Sequence, residues 1–255
     1  MIHRFARFVK GDSMPIDWKE TSEYLQARLR LRCPPVAVKL FEDKNSVPKD
    51  VEWATQKVEL CIMTSIARFQ GKAVAADPKT FTCIWALFNL GFTHPTVEEM
   101  ADRNWAFSWG KQYPRENFQK MFKTMYRLDR ETKAIAVWPL DKAPQDVDVV
   151  ILFGNAAHMN IIINTYVMQT GVGRLSFAPL GAEGLCSDAL AAPIVTKQPQ
   201  LAIPCMGSRV YAHYEDDELT WSFLPEHVND LIEGLKKSEK NYPMPVSVKL
   251  PEWPG

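Results

Sequence analysis

The most constraining feature of the sequence is an apolar run, interrupted only by Asp148, that leads directly into a helix-like segment. The run Val-Asp-Val-Val-Ile-Leu-Phe occupies 147–153, a length and composition typical of a strand buried on both faces. Gly154 and Asn155 follow it, and the asparagine predicts the N-cap of a helix that reaches about Gln169 before Gly171 ends it. A buried strand followed by a capped helix predicts an α/β protein.

The same alternation extends over both halves of the chain. Further strands are predicted at 36–41, 134–138, 174–177, 201–203 and 219–223. Further helices are predicted at 17–31, at 57–70, from the cap Asp77 to Gly91, and at 225–238. We therefore expect a mixed β-sheet with helices on its faces, in one domain with a core of about 17–238. The proline-rich tail, 241–255, is not expected to form regular structure.

The segment 92–132 departs from this alternation. It is rich in tryptophan, phenylalanine, tyrosine and methionine among many charges, and its helical periodicity is weak. Long segments of this kind inside a compact domain are often functional, so a mobile lid or another ordered insertion is one interpretation. The other is a peripheral helical hairpin packed on the sheet.

Composition and charge exclude several classes of protein. The 30 Lys and Arg residues balance the 30 Asp and Glu residues, which gives no electrostatic reason to expect nucleic acid or an anionic membrane as partner. The apolar stretch 161–163 is far shorter than the roughly 20 residues of a membrane-spanning helix. The first residues lack the apolar run of a signal peptide, so we expect a cytoplasmic protein.

The chain has five cysteines, an odd number at wide spacing, and a disulfide framework is not expected in a reducing compartment. Four of them lie near glycines or predicted helices: Cys61, Cys83, Cys186 and Cys205. Two of the four are expected where backbone amides converge on a thiolate, which favours metal binding. The alternative is that they pack as small apolar side chains, and no Cys-x-x-Cys pair is present to favour a metal.

Other candidate residues carry weaker signals. His158 lies in the first turn of a predicted helix, at the edge where α/β sheets bind ligands, although such a histidine is more often a surface residue. Arg209 lies near Cys205 and could contribute charge to a cofactor there. The run 215–218 is either a cation site or, more often for such runs, a solvated turn. No nucleotide-binding, serine-hydrolase or metalloprotease motif is present, so these residues do not identify a reaction.

Several of these segments together resemble one family. The matching pieces are Pro-Pro-Val-Ala-Val-Lys at 34–39, Cys61 with Ala67 and Gly71, Cys83 with Leu90-Gly91, Gly-Ala-Glu-Gly-Leu-Cys-Ser-Asp-Ala at 181–189, Pro-Cys-Met-Gly-Ser-Arg at 204–209, and Glu218. They are similar to domain of unknown function 169 (DUF169), a family of archaea and anaerobic bacteria. The last cysteine motif is the most specific piece, and the resemblance extends from about 17 to 238.

The resemblance implies that Cys61, Cys83, Cys186 and Cys205 are the family's cysteine positions, with Cys33 outside the pattern. Four thiols in a cytoplasmic protein of anaerobic lineages suit a [4Fe–4S] cluster or a tetrahedral zinc ion. A cluster protein would serve electron transfer with a redox partner or, with an open iron, act on a small molecule. In that interpretation Arg209 tunes the cluster and His158 is a second cofactor-binding candidate. The segment 92–132 is longer and richer in tryptophan than the family leads us to expect.

Two alternatives remain open from the sequence. The same thiols could hold structural zinc without redox chemistry. A metal-free module could instead bind an aromatic or acyl compound under 92–132, since ligand pockets are mostly apolar and lined by aromatic rings. The sequence does not distinguish an enzyme from a binding protein, and it leaves homo-oligomer formation open.

Overall fold

The computed structural model describes residues 15–107, 110–177 and 179–241. Within these ranges the α/β prediction is confirmed, because strands from both halves of the chain pair in one seven-stranded sheet with helices on both faces. The strands are β1 (Val36–Phe41), β2 (Glu52–Trp53), β3 (Val74–Ala76), β4 (Ala134–Pro139), β5 (Val149–Gly154), β6 (Gln200–Ala202) and β7 (Leu219–Phe223).

The helices are interleaved with these strands. They are α1 (Trp18–Leu29), α2 (Leu60–Ser65), α3 (Ile84–Asn89), α4 (Val97–Ala106), α5 (Arg115–Thr124), α6 (Ala156–Thr170), α7 (Ala192–Thr196), α8 (Met206–Tyr211) and α9 (Val228–Lys237). Two π-helical segments extend them: Ile66–Gln70 continues α2, and Gly184–Ala191 leads into α7. Among the described residues, no helix is long and apolar enough to cross a membrane.

The sheet has the order β2-β3-β4-β1-β5-β7-β6 and is mostly antiparallel. The central strand β1 pairs with β4, where Val38 lies opposite Val137, and with β5 on its other side. Only β2 and β3 run parallel among the paired strands of the described chain. Strands of the first half therefore lie beside strands of the second, which brings distant parts of the sequence onto one surface.

The two faces of the sheet carry separate apolar cores, because neighbouring strand residues point to opposite sides. On β1, Val36 and Val38 pack with α2, α3 and the π-helix 184–191, and we call this side the cysteine face. Ala37, between them, packs on the opposite side with α1, α6 and α9. Helices on both faces explain why the strand runs are almost continuously apolar.

The predicted third helix is wrong in its first half. The Asp77 side chain accepts a hydrogen bond from the Lys79 amide at 2.9 Å and stabilises a turn, not a helix. Phe81 then pairs with Val58 in an isolated parallel bridge, and the helix begins only at Ile84. The same bridge explains why α2 begins later than predicted. Val58 is extended and paired, so the helix predicted from residue 57 begins only at Leu60.

The predicted strand 174–177 is also absent, since 171–177 forms no regular structure. Its apolar residues pack against the core and do not form a strand. The Phe177 ring lies 5.6 Å from the Trp221 ring, edge to face. The tail beyond residue 241 lies outside the described residues.

The aromatic segment 92–132 contains the helical hairpin of α4 and α5, which agrees with one of the two interpretations from the sequence. Its packing differs from the prediction, however, because the hairpin contacts α3 rather than the sheet. The Phe122 ring lies 4.9 Å from that of Trp85 and 6.0 Å from that of Phe88. The hairpin therefore supports the short helix that begins beside Cys83.

Candidate functional site

Four separate elements of the cysteine face carry the four candidate cysteines. Cys61 lies in α2, Cys83 is the N-cap of α3, Cys186 lies in the π-helix 184–191, and Cys205 is the N-cap of α8. These elements pack against one another, since α2 contacts α8 and the π-helix, and α3 contacts the same π-helix. The two halves of the chain therefore each contribute two cysteines to one region.

The thiols are close enough to influence one another. Cys186 forms a hydrogen bond with Cys83, and Cys61 interacts electrostatically with both Cys83 and Cys205. Cys186 also interacts electrostatically with Cys205. The four cysteines selected from the sequence thus form one group. Cys33 lies elsewhere on this face, where its sulfur accepts a hydrogen bond from Arg68 Nε at 3.1 Å.

Gly184 explains how the last two cysteines meet. A Cβ atom on Gly184 would stand 1.7 Å from the carbonyl oxygen of Ile203, a distance that no side chain can occupy. The start of the π-helix is therefore pressed against the segment that leads into Cys205. This contact places Cys186 and Cys205 in one region although a helix and a strand separate them along the chain.

A cavity of about 750 Å³ opens beside these thiols. Its walls are formed by twelve residues: Glu59, Thr82, Cys83, Ile84, Trp85, Gly181, Ala182, Glu183, Cys205, Met206, Gly207 and Tyr211. Cys83 and Cys205, which are partly exposed, lie in the wall, whereas Cys61 and Cys186 are buried. The volume falls in the range of small-molecule sites, so a ligand or a metal group could reach the thiols here.

Two carboxyl groups accompany the thiols. The Cys61 thiol donates a hydrogen bond to Glu59 Oε2 at 3.6 Å. Glu183 is buried, with only 6% of its surface exposed. Burial, followed by the neighbouring Cys83 and Cys205, holds the pKa of Glu183 well above its usual value. Glu59 and Glu183 are not among the site residues predicted from the sequence. The available signal was the position of Glu183 in the glycine-rich loop before Cys186.

The thiols differ in their tendency to ionise. Burial and then Glu59 raise the pKa of Cys61. The hydrogen bond with Cys186 lowers the pKa of Cys83, against its burial and with help from the backbone amides of Ala86 and Trp85. The same hydrogen bond, and next the burial of the thiol, raise the pKa of Cys186. In the metal-free site, Cys83 is thus the member of the pair that carries negative charge more readily.

The donor set and its present arrangement have different implications for a metal. Four thiols are the ordinary ligands of an iron–sulfur cluster, and in that respect the residues fit. Nevertheless, no three or more His, Cys, Asp or Glu side chains of the described ranges are arranged to hold a metal ion. A bound metal group would therefore require the thiols to lose their protons and reorient around it.

The other two predicted cofactor-binding residues have structural contacts of their own. Arg209 Nη2 donates to the Glu218 carbonyl at 3.3 Å, and Arg209 lines a second depression of about 550 Å³ with Arg32 and His213. His158 belongs to a capping box at the start of α6, where the Asn155 amide donates to its Nδ1 at 3.1 Å. The contacts found for these two side chains do not join them to the thiols, and their cofactor roles stay predictions.

The acidic run 215–218 is held by arginines. Glu215 forms an ion pair with the exposed Arg32. Glu218 is not solvated, as a simple turn would require, but forms a buried ion pair with Arg68. The guanidinium group of Arg68 lies over the Phe153 ring, 3.9 Å from the ring centroid. Arg68 is not among the residues predicted from the sequence. These pairs give the run a structural role in this arrangement.

Comparison with known proteins is consistent with the sequence motifs. Residues 24–234 match the DUF169 family, described as "Uncharacterised ArCR". The chain is 26% identical over 218 residues to an uncharacterized protein of Methanocaldococcus jannaschii, MJ0308. That similarity covers 86% of this chain and 93% of the relative. No solved structure matches the chain. The family match spans most of the sequence, including Cys61, Cys83, Cys186 and Cys205, and the chain therefore belongs to the DUF169 family.

Proposed function

We propose that the chain is a cytoplasmic iron–sulfur protein of anaerobic metabolism that holds a [4Fe–4S] cluster on Cys61, Cys83, Cys186 and Cys205. The observation that carries the proposal is the grouping of these four thiols, from four elements of both halves, beside one cavity. Ordinary core packing of cysteines does not require them to share a site. A reducing compartment keeps the thiols available for a metal.

A single zinc ion on the same thiols is the alternative. Zinc holds its four thiolates at about 2.3 Å from one centre, whereas a cluster binds each cysteine through one of its irons. Iron, sulfide and zinc per chain distinguish the two. When bound, such a cluster supplies one-electron transfer or, if one iron lacks a cysteine, Lewis-acid chemistry.

The protein's own residues define the surroundings of this site. Ile84, Trp85 and Met206 provide apolar walls that limit the access of water. Burial raises the pKa of Glu183, which favours its neutral form and so limits the negative charge beside the thiols. Cys83 and Cys205 lie in the cavity wall and would be the ligands nearest to a small molecule. If no small molecule binds, the proposed role of the cluster is to exchange electrons with a redox protein.

The test is anaerobic purification with measurement of visible absorption and of iron, sulfide and zinc per chain, before and after reconstitution with ferrous iron and sulfide. We expect broad absorption near 400 nm and about four irons and four sulfides per chain. Replacing Cys61, Cys83, Cys186 or Cys205 by Ser should lower the absorption near 400 nm and the iron and sulfide content. Cys33→Ser is the matched control, since this buried cysteine contacts Arg68 and should leave the iron content unchanged.

Three results would contradict the proposal. Full iron content in all four single variants would show that these thiols are not the ligands. One zinc per chain without iron would assign the site to structural zinc. No metal after reconstitution would favour the second candidate, a metal-free module for a small molecule, which the cavity itself supports. That cavity lies beside α3, and the hairpin of α4 and α5 contacts its wall where the Phe122 ring packs against Trp85.

A further inference from the structure

Helix α8 borders two hollows of different character. Met206, Gly207 and Tyr211 line the thiol cavity, whereas Arg209 and His213, which follows the helix, line the second depression of about 550 Å³. The other residues that line this depression are Arg32, Phe69, Tyr214 and Glu215. None of its six lining residues is a proposed cluster ligand, so an inference from this depression goes beyond the proposed function and does not depend on it.

Arg209 is oriented by backbone groups and forms no ion pair among the described residues. Its Nη2 donates to the carbonyl oxygen of Glu218 at 3.3 Å, and its Nη1 donates to the carbonyl oxygen of Glu215. The carboxylates of these two residues pair instead with Arg68 and Arg32. Backbone carbonyls fix the direction of a guanidinium group but carry no net charge to neutralise it. The charge of Arg209 therefore stays available to an anion in the depression.

Arg32 is the second cation of the wall, and its partner is easily displaced. It forms an ion pair with Glu215, and the two side chains are 68% and 49% exposed. Exposed ion pairs of this kind contribute little to stability. Glu215 is the one acid among the six lining residues, because Asp216 and Asp217, next along the chain, do not line the depression. An anion with more charge than a carboxylate can therefore replace Glu215 at Arg32.

His213 adds a third hydrogen-bond donor. Its backbone has a φ of +55°, in the left-handed region, directly after the C-cap of α8. Glycine is the usual residue at this place, since a side chain makes the conformation less favourable. A histidine ring donates a hydrogen bond in its neutral form as well as in its protonated form. His213 can therefore contribute to anion binding in either form.

One side of the depression is aromatic and firmly supported. Phe69 is 47% exposed, although it is large and apolar. The guanidinium group of Arg68 lies 4.8 Å from the ring centroids of both Phe69 and Tyr214. Because Arg68 is buried and paired with Glu218, it supports these rings without adding net charge to the wall. The exposed part of the Phe69 ring can pack against the apolar body of a ligand.

We propose that this depression binds an organic phosphate monoester, with its phosphate group at Arg32, Arg209 and His213 and its organic group against Phe69. A phosphate monoester has three terminal oxygens and nearly two negative charges, which match three donor side chains better than a carboxylate does. Arginine also binds phosphate through two parallel hydrogen bonds. The volume of about 550 Å³ is sufficient for a small molecule of this class.

The probes are phenyl phosphate, benzoate and benzyl alcohol, titrated into the full chain by calorimetry at low ionic strength, where exposed charges are little screened. We expect phenyl phosphate to bind about tenfold more tightly than benzoate, and benzyl alcohol to bind weakest. Arg32→Gln and Arg209→Gln should each weaken the binding of phenyl phosphate by about tenfold. Arg103→Gln, which removes an exposed arginine of α4 outside the depression, is the matched control.

Glu215→Gln should have the opposite effect and strengthen the binding of phenyl phosphate, because it removes the carboxylate that competes for Arg32 and keeps the carbonyl oxygen that orients Arg209. Phe69→Leu should weaken the binding of phenyl phosphate but not that of inorganic phosphate.

Four results would overturn the proposal: no binding of phenyl phosphate, equal or tighter binding of benzoate, unchanged affinity in Arg32→Gln, or weaker binding in Glu215→Gln. If Arg209→Gln fails to fold, Arg32→Gln decides, since the Arg32 side chain is exposed. Iron content is measured on the same samples, and failure of phosphate binding would leave the proposed cluster unaffected.

Discussion

Gly184 shows how a single residue positions the candidate site. The carbonyl oxygen of Ile203 occupies the space that a Cβ atom on Gly184 would need, so the π-helix of Cys186 and the segment before Cys205 touch through their backbones. Backbone atoms cannot turn away as a flexible side chain does. Any larger residue at this position must separate two of the four cysteine-bearing elements.

We predict that Gly184→Ala destabilises the protein by about 3 kcal/mol, at the upper end of the cost of overpacking a core. Urea denaturation followed by circular dichroism measures this as a lower transition midpoint. Gly207→Ala is the control, because the atoms nearest to its added Cβ are 3.9 Å and 4.0 Å away. Alanine within α8 should be neutral or slightly stabilising. Equal midpoints for the two variants would show that the close approach at Gly184 is not rigid.

The residues of the site were only partly predictable from the sequence. Cysteine is rare and chemically distinctive, so the four thiols could be selected from motifs before any fold was known. Glu59 and Glu183 could not, because the chain has many acidic residues and only the fold shows which two face the cavity. Arg68 was missed for the same reason, since its buried pairing with Glu218 joins positions 150 residues apart.

At the scale of elements, the hairpin of α4 and α5 is coupled to the site through α3. Phe122 is only 2% exposed, and its ring contacts Trp85, which lies in the cavity wall two residues from Cys83. A short helix such as α3 has little stability of its own and depends on packing. The hairpin therefore stabilises the element that carries one thiol and one wall of the cavity.

We predict that Phe122→Ala lowers the free energy of unfolding by about 3–5 kcal/mol, the usual loss for a buried phenylalanine. Guanidinium denaturation monitored by tryptophan fluorescence measures the change. Phe107→Ala, at the end of the same hairpin and 67% exposed, should change stability by less than about 0.5 kcal/mol. A loss of under about 1 kcal/mol in Phe122→Ala would mean that the hairpin is not firmly docked on α3.

The third helix explains why element boundaries were harder to predict than element types. Asp77 followed by a proline is a good helix start on local criteria, but the same residues also form a stable turn. The bridge between Val58 and Phe81 decides between them, and this contact joins segments that are 23 positions apart. Long strands such as β1 and β5 were predicted closely, because a strand buried on both faces consists almost entirely of apolar residues.

At the scale of the whole molecule, the sheet separates the candidate site from a second apolar core on its other face. The site lies on the cysteine face, whereas α1, α6 and α9 pack on the other. Two half-buried histidines belong to this second side. His227 accepts or donates a 2.9 Å hydrogen bond with Tyr166 of α6, and His158 caps the start of the same helix. Their titration should change global stability without involving the thiols.

Burial lowers the pKa of His158, against the opposing effects of backbone hydrogen bonds to Leu29 and Arg30 and of the Asp217 charge. The ring packs against Gly154, where an added Cβ would come within 2.9 Å of it. Burial likewise lowers the pKa of His227, against Glu226 and Asp230. The folded state therefore binds fewer protons than the unfolded state near pH 6. The stability contributed by the neutral histidines is fully present above about pH 6.5, the pKa of an unfolded histidine, and is lost as the pH falls from there through their lower pKa values in the folded protein.

We predict that His158→Gln makes this loss shallower between pH 7.5 and 5.5, measured as the free energy of unfolding from urea titrations at each pH. Glutamine does not titrate, and its oxygen can accept the hydrogen bond from the Asn155 amide that His158 accepts when neutral. Stability at pH 8 should therefore be nearly unchanged, while the slope falls by no more than about 1.4 kcal/mol per pH unit. Val172→Gln, at an exposed position shortly after α6 that does not titrate, should keep the wild-type slope. If His158→Gln kept it as well, the neutral cap at α6 would not be a source of the acid sensitivity, and His227 would be the next position to replace.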